Sequence, residues 1–193
     1  MSATNRGSKR IEADFYATPF SAIIPLLENY TIADELDLIL EPSAGNGAII
    51  DALRAFGYKN HIHAIEIRKE EKENLMRNAT TVSIENFLDA DPIITFDVII
   101  GNPPFSLAQE FIDKSLSLLN PGGKLIFLLR TNFLESKKRF EWWQDKLPTK
   151  LFVLSSRPSF TGKGTDATSY SWFIWEKSKY SGQMVRHQEI RVI

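Results

Sequence analysis

The chain has 193 residues, 43% of them hydrophobic and 24% charged, with a formal net charge of −1. That is enough for one domain with a core of its own, within the ordinary range for globular proteins. The charge balance excludes a broadly polyanion-binding surface, so any nucleic-acid contact needs local patches, and the lack of cysteine excludes disulfides and thiolate metal sites.

Residues 1–14, with Arg6, Lys9 and Arg10, read as a flexible start without the apolar core of a signal peptide. Phe15-Tyr16-Ala17-Thr18-Pro19 leads into a helix over 19–29, with Thr18 as its N-cap and Pro19 in the first turn. Leu36-Asp37-Leu38-Ile39-Leu40 reads as the first strand. The small-residue turn Ser43-Ala44-Gly45-Asn46-Gly47 passes to a helix over 48–56, stopped by Gly57. A second strand spans 61–67. Its alternating His61 and His63 read as strand packing rather than metal ligands, and no metal is expected. The charged stretch 69–78 reads as a helix and 81–84 as a third strand.

A fourth strand, 96–100, runs into Gly101-Asn102-Pro103-Pro104-Phe105 and a helix over 107–119. Asn120-Pro121-Gly122-Gly123 is a strong turn signal before a fifth strand at 124–130. The next helix, 135–146, carries Lys137-Lys138-Arg139 and the pair Trp142-Trp143. A sixth strand at 150–154, a polar loop at 155–168 long enough to be functional, and a seventh strand at 170–175 complete the domain, read as 15–177. The remainder, 178–193, reads as a poorly anchored carboxyl-terminal tail holding Lys179, Arg186, His187 and Arg191. Each cationic group by itself reads as solvated surface. No apolar run reaches membrane-spanning length, so a cytoplasmic protein with no membrane partner is expected. Strands alternating with helices predict an α/β fold whose mostly parallel, seven-stranded sheet has helices on both faces.

In such a sheet ligands bind beyond the carboxyl ends of the strands, where the first strand–helix turn faces the crevice. Gly45 and Gly47 let backbone approach a ligand closely there. With no third glycine and no lysine, the turn is neither a dinucleotide fingerprint nor a P-loop. It opens instead on Glu41, a carboxylate suited to a positively charged amino-acid ligand. Glu66 ends the second strand about twenty residues on, the spacing at which an acid accepts from ribose hydroxyls. Asn102-Pro103-Pro104-Phe105 is a rigid corner, polar and then flat, suited to gripping a planar ring by its exocyclic amine.

These motifs resemble those of class I S-adenosylmethionine (SAM) dependent methyltransferases acting on adenine N6, in the linear order of the gamma-class adenine DNA methyltransferases. The resemblance runs from residue 15 to about 175. It implies a Rossmann-like methyltransferase fold, SAM as cofactor, and adenine in nucleic acid as substrate, DNA ahead of RNA. It implies that Tyr16, Thr18 and Pro19 touch the cofactor carboxylate, that Glu41, Pro42, Ser43, Gly45 and Gly47 line its methionine end, and that Glu66 holds the ribose. Phe87 is expected against the cofactor adenine and Asn86 at its edge, close to the substrate. The family usually has aspartate where Asn86 stands, and Asp89 or Asp91 is the alternative carboxylate. Asn102 lies between cofactor and substrate. Its side-chain oxygen and the Pro103 carbonyl accept the two amine hydrogens, Pro104 stiffens the corner, and Phe105 supplies a face for the base. Phe160 matches the place of a second aromatic. The gamma-class enzymes usually add a target-recognition domain, so either recognition is loop-borne, or a partner subunit supplies it, or the substrate is not duplex DNA. The alternatives are an RNA adenine methyltransferase, a protein glutamine methyltransferase, which shares the Asn-Pro-Pro-aromatic corner, and a non-catalytic SAM-fold subunit.

Overall fold

The most apolar runs of the chain become central strands, shielded on both sides. The computed structural model describes residues 17–160, 164 and 166–193. Its strands are β1 (Ile39–Glu41), β2 (Ile62–Glu66), β3 (Thr81–Ile84), β4 (Phe96–Gly101), β5 (Leu119–Arg130), β6 (Lys150–Val153), β7 (Tyr170–Glu176) and β8 (Glu189–Val192). They form one sheet in the order β3-β2-β1-β4-β5-β7-β6-β8. All neighbours are parallel except β7, which is antiparallel to both β5 and β6. The chain winds outward in one direction from β1 to β3 and in the other from β4. The switch point, where a crevice opens in such sheets, therefore lies between β1 and β4.

The helices are α1 (Phe20–Asn29), α2 (Ala48–Ala55), α3 (Lys72–Leu75), α4 (Ala108–Ser117) and α5 (Phe140–Lys146). Alternation along the strands divides the core into two layers. Ile126 and Leu128 of β5 and Trp172 and Ile174 of β7 share one layer with Ile23, Leu26, Ile50 and Leu53 of α1 and α2. Leu125, Phe127 and Leu129, with Phe173 and Trp175, share the other with Phe111 and Ile112 of α4 and Trp143 of α5. Two indole N–H groups fasten helices to the sheet. Trp172 Nε1 donates to the Ala22 carbonyl at 2.8 Å, and Trp175 Nε1 to the Lys146 carbonyl at 2.7 Å.

Several boundaries differ from those the sequence predicts, each for a local reason. Leu36 is 95% exposed, and β1 starts only at Ile39. Residues 34–37 form a turn instead, in which the Asp37 carboxylate accepts from the Asp34 N–H at 2.8 Å. The charged stretch 69–78 holds only a 3₁₀ turn and the four-residue α3, with Leu75 its one buried residue, because it has no apolar stripe to bury. The predicted turn at 120–123 lies inside the span of β5 as a bulge: Phe96 pairs with Leu119 and Val98 with Lys124, the residues between are skipped, and Gly122 has a left-handed φ of 82°. α5 starts at Phe140, after a 3₁₀ turn over Lys137–Arg139.

The segment expected to be a loose tail supplies an eighth strand to a sheet expected to have seven. β8 pairs in parallel with β6, and the Arg191 guanidinium lies 5.3 Å from the Phe152 ring centroid. Its short alternation Glu189-Ile190-Arg191-Val192 gives little local strand signal; pairing with the open edge of β6 makes it a strand. Among the described residues, no helix is long and apolar enough to cross a membrane.

Candidate active site

β1 and β4 are neighbours, so the segments leaving their carboxyl ends, Pro42–Gly47 and Asn102–Phe105, emerge side by side. Gly101 lies against the first of these segments. A Cβ there would meet Pro42 Cδ at 3.4 Å and Ser43 Oγ at 3.7 Å. The glycine turn is itself held from β2. Gly45 N–H donates to Glu66 Oε2 at 2.7 Å, and Ala44 N–H to the Ile65 carbonyl at 3.0 Å. Gly45 and Gly47 both adopt left-handed backbone, with φ of 56° and 87°, and Gly47 opens α2. A carboxylate offers about four acceptor sites. Glu66 Oε1 takes the Arg68 backbone N–H at 3.0 Å and its Nε at 2.8 Å, which leaves acceptor capacity on Oε2.

Three side-chain oxygens at this junction are buried without a hydrogen-bond partner: Glu41 Oε2, Ser43 Oγ and Asn102 Oδ1. A buried polar atom left unpaired costs about 1–3 kcal/mol, which makes these three the candidate ligand contacts of the junction. Burial holds the Glu41 carboxyl well above the usual carboxylate range, and the nearby charges of Glu66 and Asp51 push the same way. A cation seated beside it would reverse that shift.

The Asn102 amide is oriented by the segment ahead of α1. Its Nδ2 donates to Thr18 Oγ1 at 3.0 Å, which turns Oδ1 to the unpaired position. Thr18 is thus not the N-cap expected of it. Pro19 holds that place without a side-chain bond, because the Thr18 hydroxyl is engaged across the fold. Tyr16 lies outside the described residues, as do 161–163 and 165.

On the β3 side, Asn86 closes a local turn. Its Oδ1 accepts from Leu88 N–H at 3.1 Å and its Nδ2 donates to Asp89 Oδ2 at 2.7 Å. Phe87 is buried in the α4 layer, its ring centroid 5.1 Å from that of Phe111. On the β5–β7 side, Phe105 and Phe160 both pack on Tyr170, with centroids 5.7 Å and 4.9 Å away. The Arg130 guanidinium lies 4.9 Å from the Phe105 centroid. Tyr170 is the member that sequence reasoning missed. It looked like one more apolar strand residue, and its neighbours converge only because β7 lies beside β5. Its hydroxyl donates to Asp166 Oδ2 at 2.6 Å, and burial raises its pKa above the usual phenol range. The candidate residues therefore line one edge of the sheet, with Glu41, Gly45, Glu66 and Asn86 towards β3, Phe105 and Phe160 towards β7, and Asn102 between.

Residues 31–143 match the family described as methyltransferase small domain. The chain belongs to that family. This methyltransferase-family chain is 27% identical over 158 residues to the type II methyltransferase M.HincII of Haemophilus influenzae, across 67% of this chain and 30% of the relative. The type II methyltransferase M.HindII of the same species matches with the same identity, across 29% of its length. The chain thus spans under a third of these curated relatives. Among solved structures, a candidate RNA methyltransferase from Pyrococcus horikoshii superposes with a TM-score of 0.68 at 19% identity, covering 86% of this chain and 88% of that one. The M protein of the type I restriction enzyme EcoKI gives 0.63 at 16% identity, over 87% and 45%. Identities this low speak for the fold, which is that of class I SAM-dependent methyltransferases. The cofactor is S-adenosylmethionine.

Proposed function

We propose that this protein methylates the exocyclic N6 amine of adenine in nucleic acid, with DNA ahead of RNA. The observation that carries the reading is Asn102. Thr18 orients its amide, and its Oδ1 is buried and unpaired, as is Glu41 Oε2 on the neighbouring strand end. The donor set fits SAM. Glu41 would take the ammonium, the Gly45–Gly47 turn would lie along the methionine part with Pro42 and Ser43, and Glu66 would accept from the ribose. The Thr18 hydroxyl accepts from Asn102 and still has its own proton to donate, which suits the cofactor carboxylate beside Pro19. Bound there, SAM supplies an electrophilic methyl carbon.

An adenine amine is a weak nucleophile because its lone pair is delocalised into the ring. Asn102 Oδ1 and the Pro103 carbonyl accept its two hydrogens and favour a pyramidal nitrogen. Both bonds strengthen as positive charge develops on that nitrogen, so they stabilise the transition state more than the ground state. Pro104 stiffens the corner, and the cluster Phe105–Tyr170–Phe160 offers an aromatic surface to a base drawn out of its stack. Asn86 and Asp89 are bonded to each other in their turn, and Asp89 and Asp91 are the exposed carboxylates on this side that could meet the cofactor adenine. DNA is favoured over RNA because the relatives include type II methyltransferases and a restriction enzyme's M protein.

Incubation with labelled SAM and unmethylated duplex DNA, single-stranded DNA, RNA or a protein release factor tests this directly. Digestion should recover label in N6-methyladenine. Asn102→Ala should lower the rate by on the order of 10²–10³, the effect of removing one such polar partner. Label recovered only in glutamine overturns the reading.

A further inference from the structure

Beyond Phe105 a cleft of about 310 Å³ opens between α4 and the connection from β5 to α5, bounded by Phe105, Arg130, Asn132, Phe133, Glu135 and Arg139. We propose that this cleft seats the phosphodiester strand flanking the target base, which gives the chain a nucleic-acid anchor of its own. The inference rests on the adenine reading for the identity of the base and on charge and geometry for the strand.

Both guanidinium groups are held rather than loose. Arg130 lies over the Phe105 ring, and its Nε donates to the Tyr170 hydroxyl at 3.4 Å. Arg139 lies 4.3 Å from the Phe133 centroid and donates from Nε and Nη2 to the Phe133 carbonyl at 3.2 and 2.8 Å. A planar fork fixed in this way loses little further freedom on meeting a phosphate. The exposed Lys137 and Lys138 precede Arg139 in the same 3₁₀ turn. Residues 130–139 hold four cations against the single acid Glu135, in a chain whose net charge is −1. A polyanion is therefore drawn to this connection rather than to the molecule at large. Phe105 joins cleft and corner, so a base held at the Asn102 corner would be covalently continuous with a backbone running past Arg130 and Arg139. Aromatic faces interleaved with cations are the arrangement that tracks an unpaired strand.

The test is the affinity of a short fluorescein-labelled oligo(dT), which has no adenine to methylate, measured across salt concentrations. Removing one cation that neutralises a phosphate lowers the slope of log affinity against log salt by about 0.7. Arg139→Gln and the pair Lys137→Gln/Lys138→Gln should each flatten the slope by at least that much, with SAM binding by calorimetry unchanged. The lysine pair keeps the test decisive if Arg139→Gln lowers stability. An oligo(U) arm separates RNA from DNA. Unchanged slopes in both variants, or no oligo(dT) binding by the parent, overturn the cleft even where N6-methyladenine is formed. Flattened slopes support it even if the label is found elsewhere than in adenine.

Discussion

Thr18 and Asn102 show how one hydrogen bond can set the polarity of a site. With Nδ2 committed to Thr18 Oγ1, the amide can present only its oxygen to an amine. Thr18→Val should lower kcat about tenfold, the equivalent of one hydrogen bond, and Thr18→Ser should restore it. A Ser variant as slow as the Val variant would count against the orienting role. Glu41 makes a trade between stability and binding. Its carboxyl ionises near 4.5 in the unfolded chain but well above that when buried, so its stabilising contribution is full below 4.5 and is lost as pH rises through the folded value. Glu41→Gln should therefore unfold at about the same temperature as the parent near pH 4 and at a progressively higher one towards neutrality. Its affinity for SAM should fall, because the ammonium loses its counterion. Thermal unfolding over pH, paired with calorimetry, checks both; a difference independent of pH rules out the titration account.

At the scale of elements, the turn between β1 and α2 is the least replaceable piece. Gly47 combines left-handed backbone with a neighbour, Leu75 Cδ2, 3.3 Å from where a Cβ would sit. Gly47→Ala should destabilise by roughly 1–2 kcal/mol through its backbone alone, read as a lower midpoint in urea. SAM affinity should fall with it, because the turn must shift. The elements legible in the sequence were those with a strong local period or an unbroken apolar run, such as β3, β4, α2 and α4. Those that failed depended on what lay opposite. Leu36 had strand-like composition but no partner strand, while Glu189–Val192 had weak composition and an open edge to pair with. The Asn-Pro-Gly-Gly signal at 120–123 was a sound local reading: the pairing with β4 skips it, passing from Phe96–Leu119 to Val98–Lys124, while β5 continues on either side.

For the molecule as a whole, the proposed cofactor site links SAM binding to fold stability, because it draws on three strand ends that exist together only in the folded sheet. At a concentration about 100 times its dissociation constant, SAM should stabilise the protein by about 2.7 kcal/mol, raising the unfolding temperature by roughly 5–10 °C. An unmoved transition argues against the Glu41 and glycine-turn assignment. The sequence by itself determined the chemistry on offer: a glycine turn opened by an acid, a second acid at ribose spacing, and an asparagine locked between strand and prolines. Those signals are local, set by residue type and short spacing. The tertiary structure alone decided how they meet. It turned Thr18 away from capping a helix and towards Asn102, and it set Tyr170 between Phe105 and Phe160. It also gathered Arg130 and Arg139 around one cleft. Each pairing spans residues far apart in the chain or depends on strand order, and only the packed sheet brings them within bonding distance.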